Sequence, residues 1–265
     1  MSTTSHTPDP TAVLDTAAKL FRVMRKAGAS FSCFNLPLQD MTARRNLVEF
    51  LRLGCPKVAS TVKTFSSLDL ATIILESRFI TPYEVATAHD LVYPEEQLEE
   101  YDRRLPWPKV IAWCRANDYM LLPNPPEPMS FMQIHDLNRE LFYPGGKWSA
   151  PEDSILHQEK TRVASWLAIR TKVVPDSWCK EWQQKLQLLS QVERVANLAE
   201  LAWALTTYKK VRNVDLMTNG QPALTSGVDP DCHMAIKYDA SNAGLVIERY
   251  CDVRAHGLIS ARQAA

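Results

Sequence analysis

The chain has 265 residues, enough for one large or two small domains with self-sufficient cores, so size imposes no need for disulfide or metal staples. Thirty Lys and Arg side chains balance thirty Asp and Glu, which leaves no long-range positive field to draw the chain onto nucleic acid or anionic lipid. Eight glycines against seventeen prolines speak against a glycine-rich phosphate loop and for many sharply ended elements.

The N-terminal ten residues carry neither a basic segment nor an apolar stretch, so Sec-type export is not expected. The longest apolar run, Leu70 to Leu75, falls far short of the roughly 20 residues that a membrane-spanning helix needs. Cys33, Cys55, Cys114, Cys179, Cys232 and Cys251 stand far apart without C-x-x-C spacing. Reduced thiols in a cytoplasmic protein are therefore the expectation.

In chain order, Asp9-Pro10 opens an amphipathic helix that runs to Gly28, and a second helix is predicted from Asp40 to Leu53. Ser67 is placed to cap a helix through Leu75, and Thr81-Pro82-Tyr83-Glu84 is a capping box for the next. These two short helices resemble a helix-turn-helix reader. The acidic segment behind them, Glu95, Glu96, Glu99, Glu100 and Asp102, argues against DNA binding. Pro94 starts that acidic helix, and Pro106-Trp107-Pro108 starts another that buries Val110, Ile111 and Trp113. Tyr119 to Leu122 reads as a strand, and the proline-rich stretch behind it sets a soft domain boundary between residues 125 and 126. Ser130 caps a short helix with Phe131, Ile134 and Leu137, and residues 149–162 are polar and ambiguous.

From Ala164 the pattern is sharper. Ser165 to Arg170 reads as a buried strand; Ser177 is placed to cap a helix with Trp178, Trp182, Leu186 and Leu189. Asn197-Leu-Ala-Glu200 starts a second helix with Leu201, Ala202, Leu205 and Tyr208. Brief strands are predicted at Val214 to Met217, Cys232 to Lys237, Leu245 to Arg249 and Leu258 to Ala261. The tryptophans at 148, 166, 178, 182 and 203 are read as core rather than as a ligand groove.

The order of strand, two helices and short strands resembles the C-type lectin-like domain. Ser165-Trp-Leu-Ala-Ile-Arg170, Pro175-Asp-Ser-Trp178, Glu193-Arg-Val-Ala-Asn197, Thr207-Tyr-Lys-Lys-Val-Arg212, Gly244-Leu-Val246, Asp252-Val-Arg254 and Gly257-Leu-Ile-Ser-Ala-Arg262 resemble a group of largely uncharacterised bacterial proteins. That group is similar in layout to the variable proteins of diversity-generating retroelements. The resemblance implies an α+β fold: a helical region over residues 1–125, then a C-type lectin-like domain over 126–265 with several short antiparallel strands. It also implies a non-enzymatic binding role with no cofactor, in which C-terminal loops contact a macromolecular partner. Two features depart from the pattern: Cys232, Ile247 and Cys251 stand where polar residues are usual, and no Glu-Pro-Asn or Trp-Asn-Asp calcium-sugar motif is present.

The implied binding positions are Asp229, Asp231, His233, Tyr238, Asp239, Ser241, Asn242, Glu248, Arg249, Tyr250, Asp252, Arg254 and His256. Tyr, Ser, Asn and Arg in such a set supply rigid contact area and adaptable hydrogen bonds. Arg254 has a structural alternative, as a buried guanidinium anchoring loop carbonyls. Other readings stay open at this stage. Asp229, Asp231, Cys232 and His233, with Asp239 or His256, supply metal-ligand types at a spacing that fits no standard site. Asp153, His157 and Glu159 would form half of an acid–base pair, for which Cys179 in the first turn of a predicted helix is the candidate nucleophile. A small enzyme built on either cluster, or a structural or assembly component without ligand, is the alternative to the binder.

Overall fold

The computed structural model describes residues 66–146, 151, 152, 154–163, 165–216, 222–228, 231–239, 241, 244–254 and 256–264. All of them belong to one compact unit, Phe65–Ala265. The helices predicted at Asp9–Gly28 and Asp40–Leu53 lie outside the described residues, as do Trp148, Asp153, Asp229 and Asn242. No helix among the described residues is long and apolar enough to cross a membrane.

Helices come first. α1 (Ser67–Leu75) is capped by Ser66, one residue ahead of the predicted Ser67; the Asp69 carboxylate accepts from the Ser66 N–H at 2.9 Å. α2 (Pro82–His89) uses the predicted box: the Glu84 N–H donates to Thr81 Oγ1 and the Thr81 N–H to Glu84 Oε2, 3.2 and 2.8 Å. α3 (Glu95–Arg103) and α4 (Pro108–Ala116) start directly after Pro94 and Trp107. α5 (Phe131–Leu137) carries the Ser130 capping box, and α6 (Ile155–Gln158) is a single turn capped by Ser154.

Two four-stranded sheets follow. In the first, β1 (Tyr119–Pro123) pairs antiparallel with β2 (Trp166–Arg170), Tyr119 opposite Arg170 and Pro123 opposite Trp166. The boundary expected between residues 125 and 126 thus runs between two directly paired strands. β8 (Ser260–Ala264) lies on the other side of β2, and β3 (Arg194–Val195) closes the order β1-β2-β8-β3. The second sheet has the order β6-β5-β4-β7: β6 (Gly244–Tyr250), β5 (His233–Asp239), β4 (Ala223–Val228) and β7 (Gly257–Leu258). The expected set of antiparallel strands needs one correction, because β4 and β7 run parallel, Ala223 opposite Gly257. The chain changes sheets at Ile259, whose carbonyl accepts from the Ala196 N–H at 3.1 Å. No strand forms at Val214–Leu216, and β4 was not predicted.

α8 (Leu198–Arg212) is the centre of the unit. Every residue from Leu198 to Tyr208 is buried, as expected of a helix enclosed on all sides rather than one with a solvent face. Its start is the predicted capping box: Asn197 Oδ1 accepts from the Glu200 N–H at 2.7 Å. Glu200 is 1% exposed and forms a two-pronged pair with Arg194, 2.7 and 2.5 Å. The Trp203 indole N–H donates to the Pro123 carbonyl and that of Trp166 to the Tyr101 carbonyl, both at 2.9 Å. Trp166 and Trp203 are core.

His89 is buried where α2 meets α8. Its ring stacks on Trp203 with centroids 4.7 Å apart, and Nε2 lies 3.0 Å from Thr207 Oγ1. Burial, followed by the nearby Lys210 charge, pushes its pKa down to about 4. At the other end of α8, Arg212 donates to the Ser77 and Phe79 carbonyls and to Glu84, which locks the helix onto the α1–α2 junction.

The closing motif has a packing explanation. At Gly257 an added Cβ would lie 2.0 Å from Val173 Cγ1, so only glycine allows β7 this approach to the segment before α7 (Trp182–Leu186). Leu258, Ser260 and Ala261 are buried, Ser260 Oγ lies 2.5 Å from the Tyr119 hydroxyl, and the Arg262 guanidinium sits 4.7 Å over the Trp113 ring.

Candidate binding surface at the disulfide end of the C-terminal sheet

The β5–β6 hairpin pairs His233 with Tyr250, Ala235 with Glu248, Lys237 with Val246 and Asp239 with Gly244. Strand alternation therefore puts Met234, Ile236, Leu245 and Ile247 on one face, packed into the core that holds α8. The opposite face carries His233, Ala235, Lys237, Val246, Glu248 and Tyr250. Ala235 there joins a second cluster with Val174, Val195, Leu224, Val253 and Leu258, against which Trp182, Leu186 and Tyr250 pack. The remainder of this face is half-buried: polar His233, Lys237 and Glu248 beside Val246.

One step beyond the first ladder pair, Cys232 and Cys251 form a disulfide. The expectation of reduced thiols is corrected for this pair. The two cysteines are 19 residues apart in sequence, but the hairpin register sets them opposite each other, and the bond fastens the open end of the ladder. Cys114 is a buried free thiol and Cys179 an exposed one.

Behind the disulfide, the Trp182 and His233 rings lie 3.8 Å apart, as do the Tyr250 and His256 rings. The Tyr250 hydroxyl donates to Glu248, whose other oxygen pairs with Lys237 Nζ at 2.6 Å. Lys185, wholly buried at the end of α7, donates to the Ser177 carbonyl and, at 2.6 Å, to the His256 carbonyl. It joins the segment before α7 to the segment before β7. The Cys179 N–H adds a second tie, donating to the Arg254 carbonyl at 2.8 Å.

These contacts set the charges. Burial lowers the pKa of His233, and burial plus the nearby Lys185 lowers that of His256, so both imidazoles are neutral at pH 7. Their Nδ1 atoms have no hydrogen-bond partner among the described residues. Burial opposes ionisation of Glu248, but Lys237 and Tyr250 outweigh it and hold the carboxyl below its usual range. Burial and the Glu248 carboxylate push the Tyr250 phenol up. The Arg254 guanidinium holds Asp252 down to about 2. The result is an aromatic and imidazole face of low net charge, rimmed by exposed Asp231, Asp252 and Arg254.

No protein-family model, no curated protein and no solved structure matches this chain.

The structure divides the implied binding set. Asp231, His233, Glu248, Tyr250, Asp252, Arg254 and His256 come together at the disulfide end. Tyr238, Asp239 and Ser241 lie at the turn end, about 20 Å away along a seven-residue strand. Asp239 Oδ1 accepts from the Ser241 N–H at 3.0 Å and from its hydroxyl at 2.5 Å, a local turn that closes the hairpin. Tyr238 packs on the core face, and Arg249 is exposed on that same face, away from Tyr250.

The alternative chemistries fare as follows. Glu159 is engaged at the start of α8, where its Oε2 accepts from the Leu198 N–H at 3.3 Å. Cys179 does not occupy a first helical turn. It lies ahead of α7 with a left-handed φ of 55°, because Asp176 (φ 58°) and Cys179 turn the chain where the Ser177 cap was expected. No group of three His, Cys, Asp or Glu side chains able to hold a metal ion occurs among the described residues. The buried-anchor role considered for Arg254 is corrected: its side chain is 61% exposed and pairs with Asp252 at 3.0 Å and Glu181 at 3.7 Å. The reading of Trp182 as core missed its place beside His233 at this surface, and nothing local in the sequence signals the buried Lys185 beneath it.

Proposed function

We propose that this chain is a non-enzymatic binding protein whose C-terminal portion is a C-type lectin-like domain. Its contact surface is the disulfide end of the β5–β6 hairpin, offered to a macromolecular partner. The observation that carries this reading is the presence of two close, tilted ring pairs, Trp182–His233 and Tyr250–His256, beside a covalently fastened strand end. Rigid aromatic area with adaptable polar groups at its rim is the composition of paratopes. The lectin-like reading is supported by the return of the last strand, β8, to lie beside β2, with the β4–β5–β6 sheet inserted between them in the chain. Such a frame holds the surface segments while leaving their side chains replaceable.

In its most specific form the proposal includes diversification of this surface by a retroelement. Sequencing the locus across many isolates and counting substitutions per codon tests it. Changes concentrated at Asp231, Asp252 and Arg254, with Leu224, Ala235, Gly257 and Leu258 silent, are expected. A uniform distribution removes diversification from the proposal.

A further inference from the structure

A groove of about 320 Å³ lies between the segment leading into α3, with Val92, Pro94 and Gln97, and the proline-rich segment after β1, with Pro126, Pro128 and Met129. Its volume falls at the lower edge of the roughly 300–1,000 Å³ typical of ligand sites. Val92, 82% exposed, gives it an apolar edge.

The groove is poor in donors. Three of its residues are prolines and have no N–H. The Leu91 and Gln97 N–H groups donate to the Ala86 and Pro94 carbonyls, both at 3.0 Å. Those of Met129 and Gln133 go to Thr161 Oγ1 and Ser130 Oγ, 2.9 and 3.3 Å. The Gln97 amide nitrogen is spent on the Pro126 carbonyl at 3.0 Å. One acceptor lies open to a guest, the exposed Glu127 carboxylate; Gln97 Oε1 is buried, with no partner among the described residues. Glu95 and Glu96, exposed in the first turn of α3 directly after Pro94, add negative charge. A guest must therefore bring donors and positive charge on an apolar stem.

We infer that this groove docks a basic, partly apolar peptide segment of a partner protein. An Arg or Lys of the guest lays its aliphatic stem on Val92 and Met129 and turns its head toward Glu127 and Glu95. The Gln133 side-chain NH2, whose companion Oε1 is taken by the Ser130 N–H at 2.9 Å, is positioned to meet a guest backbone carbonyl. This site is separate from the C-terminal surface and does not depend on its role.

The test is amide chemical-shift mapping on the full chain, titrated with Ac-Leu-Arg-Val-Arg-NH2 and with the same peptide carrying Glu in place of Arg. The Arg peptide is expected to shift the Val92, Gln97, Glu127 and Met129 amides saturably, and the Glu peptide to leave them in place. Glu127→Lys and Val92→Lys, both surface changes, are each expected to weaken the Arg peptide about fivefold or more, while Tyr250→Ala leaves its affinity unchanged. The inference is overturned if these amides do not move at about 1 mM peptide, if the Glu peptide binds equally, or if neither variant weakens binding.

Discussion

Replacing Lys185 with methionine removes an ammonium group while nearly keeping its volume, in a site where the native side chain is fully buried. Two carbonyls, those of Ser177 and His256, lose their donor, the first in a buried site and the second in a part-buried one. An unsatisfied buried acceptor costs about 1–3 kcal/mol. Burying a neutral chain instead of an ammonium, whose pKa burial already lowers, returns part of that cost. A net loss of about 3 kcal/mol is expected, which for a unit of this size lowers Tm by roughly 6–12 °C. The loss has a location as well as a size. Hydrogen exchange should quicken most in the segments around Ser177 and from Asp252 to His256, because Lys185 joins them. Thermal melts with exchange mass spectrometry measure both, and a Tm within 1–2 °C of wild type with unchanged exchange there would refute the role assigned to Lys185.

Three further outcomes are expected. His89 has a folded-state pKa of about 4, below its ordinary 6.5, so the unfolded chain takes up the proton first as pH falls. The stability this represents is present above pH 6.5 and is lost as the pH drops toward 4, up to about 3 kcal/mol; urea midpoints from pH 7 to 4 should fall less steeply in His89→Gln. Cys232→Ala with Cys251→Ala opens a loop of 19 residues and should cost about 3 kcal/mol of stability, read as a lower urea midpoint and matched by reducing the wild type. Gly257→Ala forces a Cβ against Val173 and should cost about 1–3 kcal/mol, detected by the same melts, whereas Gly227→Ala, whose nearest neighbours are side-chain ends at 3.1 Å, should cost less.

The sequence was most legible where a local signal acts alone. Thr81-Pro82-Tyr83-Glu84, Ser130 and Asn197 each start a helix because a side-chain oxygen there meets an N–H within one turn. Non-local constraints stayed hidden. Cys232 and Cys251 become partners only through the β5–β6 register, which no spacing rule supplies. The sequence Ala223-Leu-Thr-Ser-Gly-Val228 lacks a clear alternation, and its strand exists because β5 and β7 flank it. Lys185 carries no local signal for burial, which is satisfied by two carbonyls contributed from elsewhere in the chain. At the candidate surface, the positions implied by the resemblance included the histidines and Tyr250 but also Asp239 and Ser241, which close the far turn.

The most direct test of the binding role is a photo-reactive residue installed at Arg254 in the native host, compared with one at Leu188 outside the proposed contact face. A discrete adduct from position 254, absent from position 188 and lost when Tyr250 and His256 are both changed to alanine in a chain that still folds, is the expected result. Equal adducts from both positions, or one at 254 that survives the double change, would contradict a contact surface built on these rings.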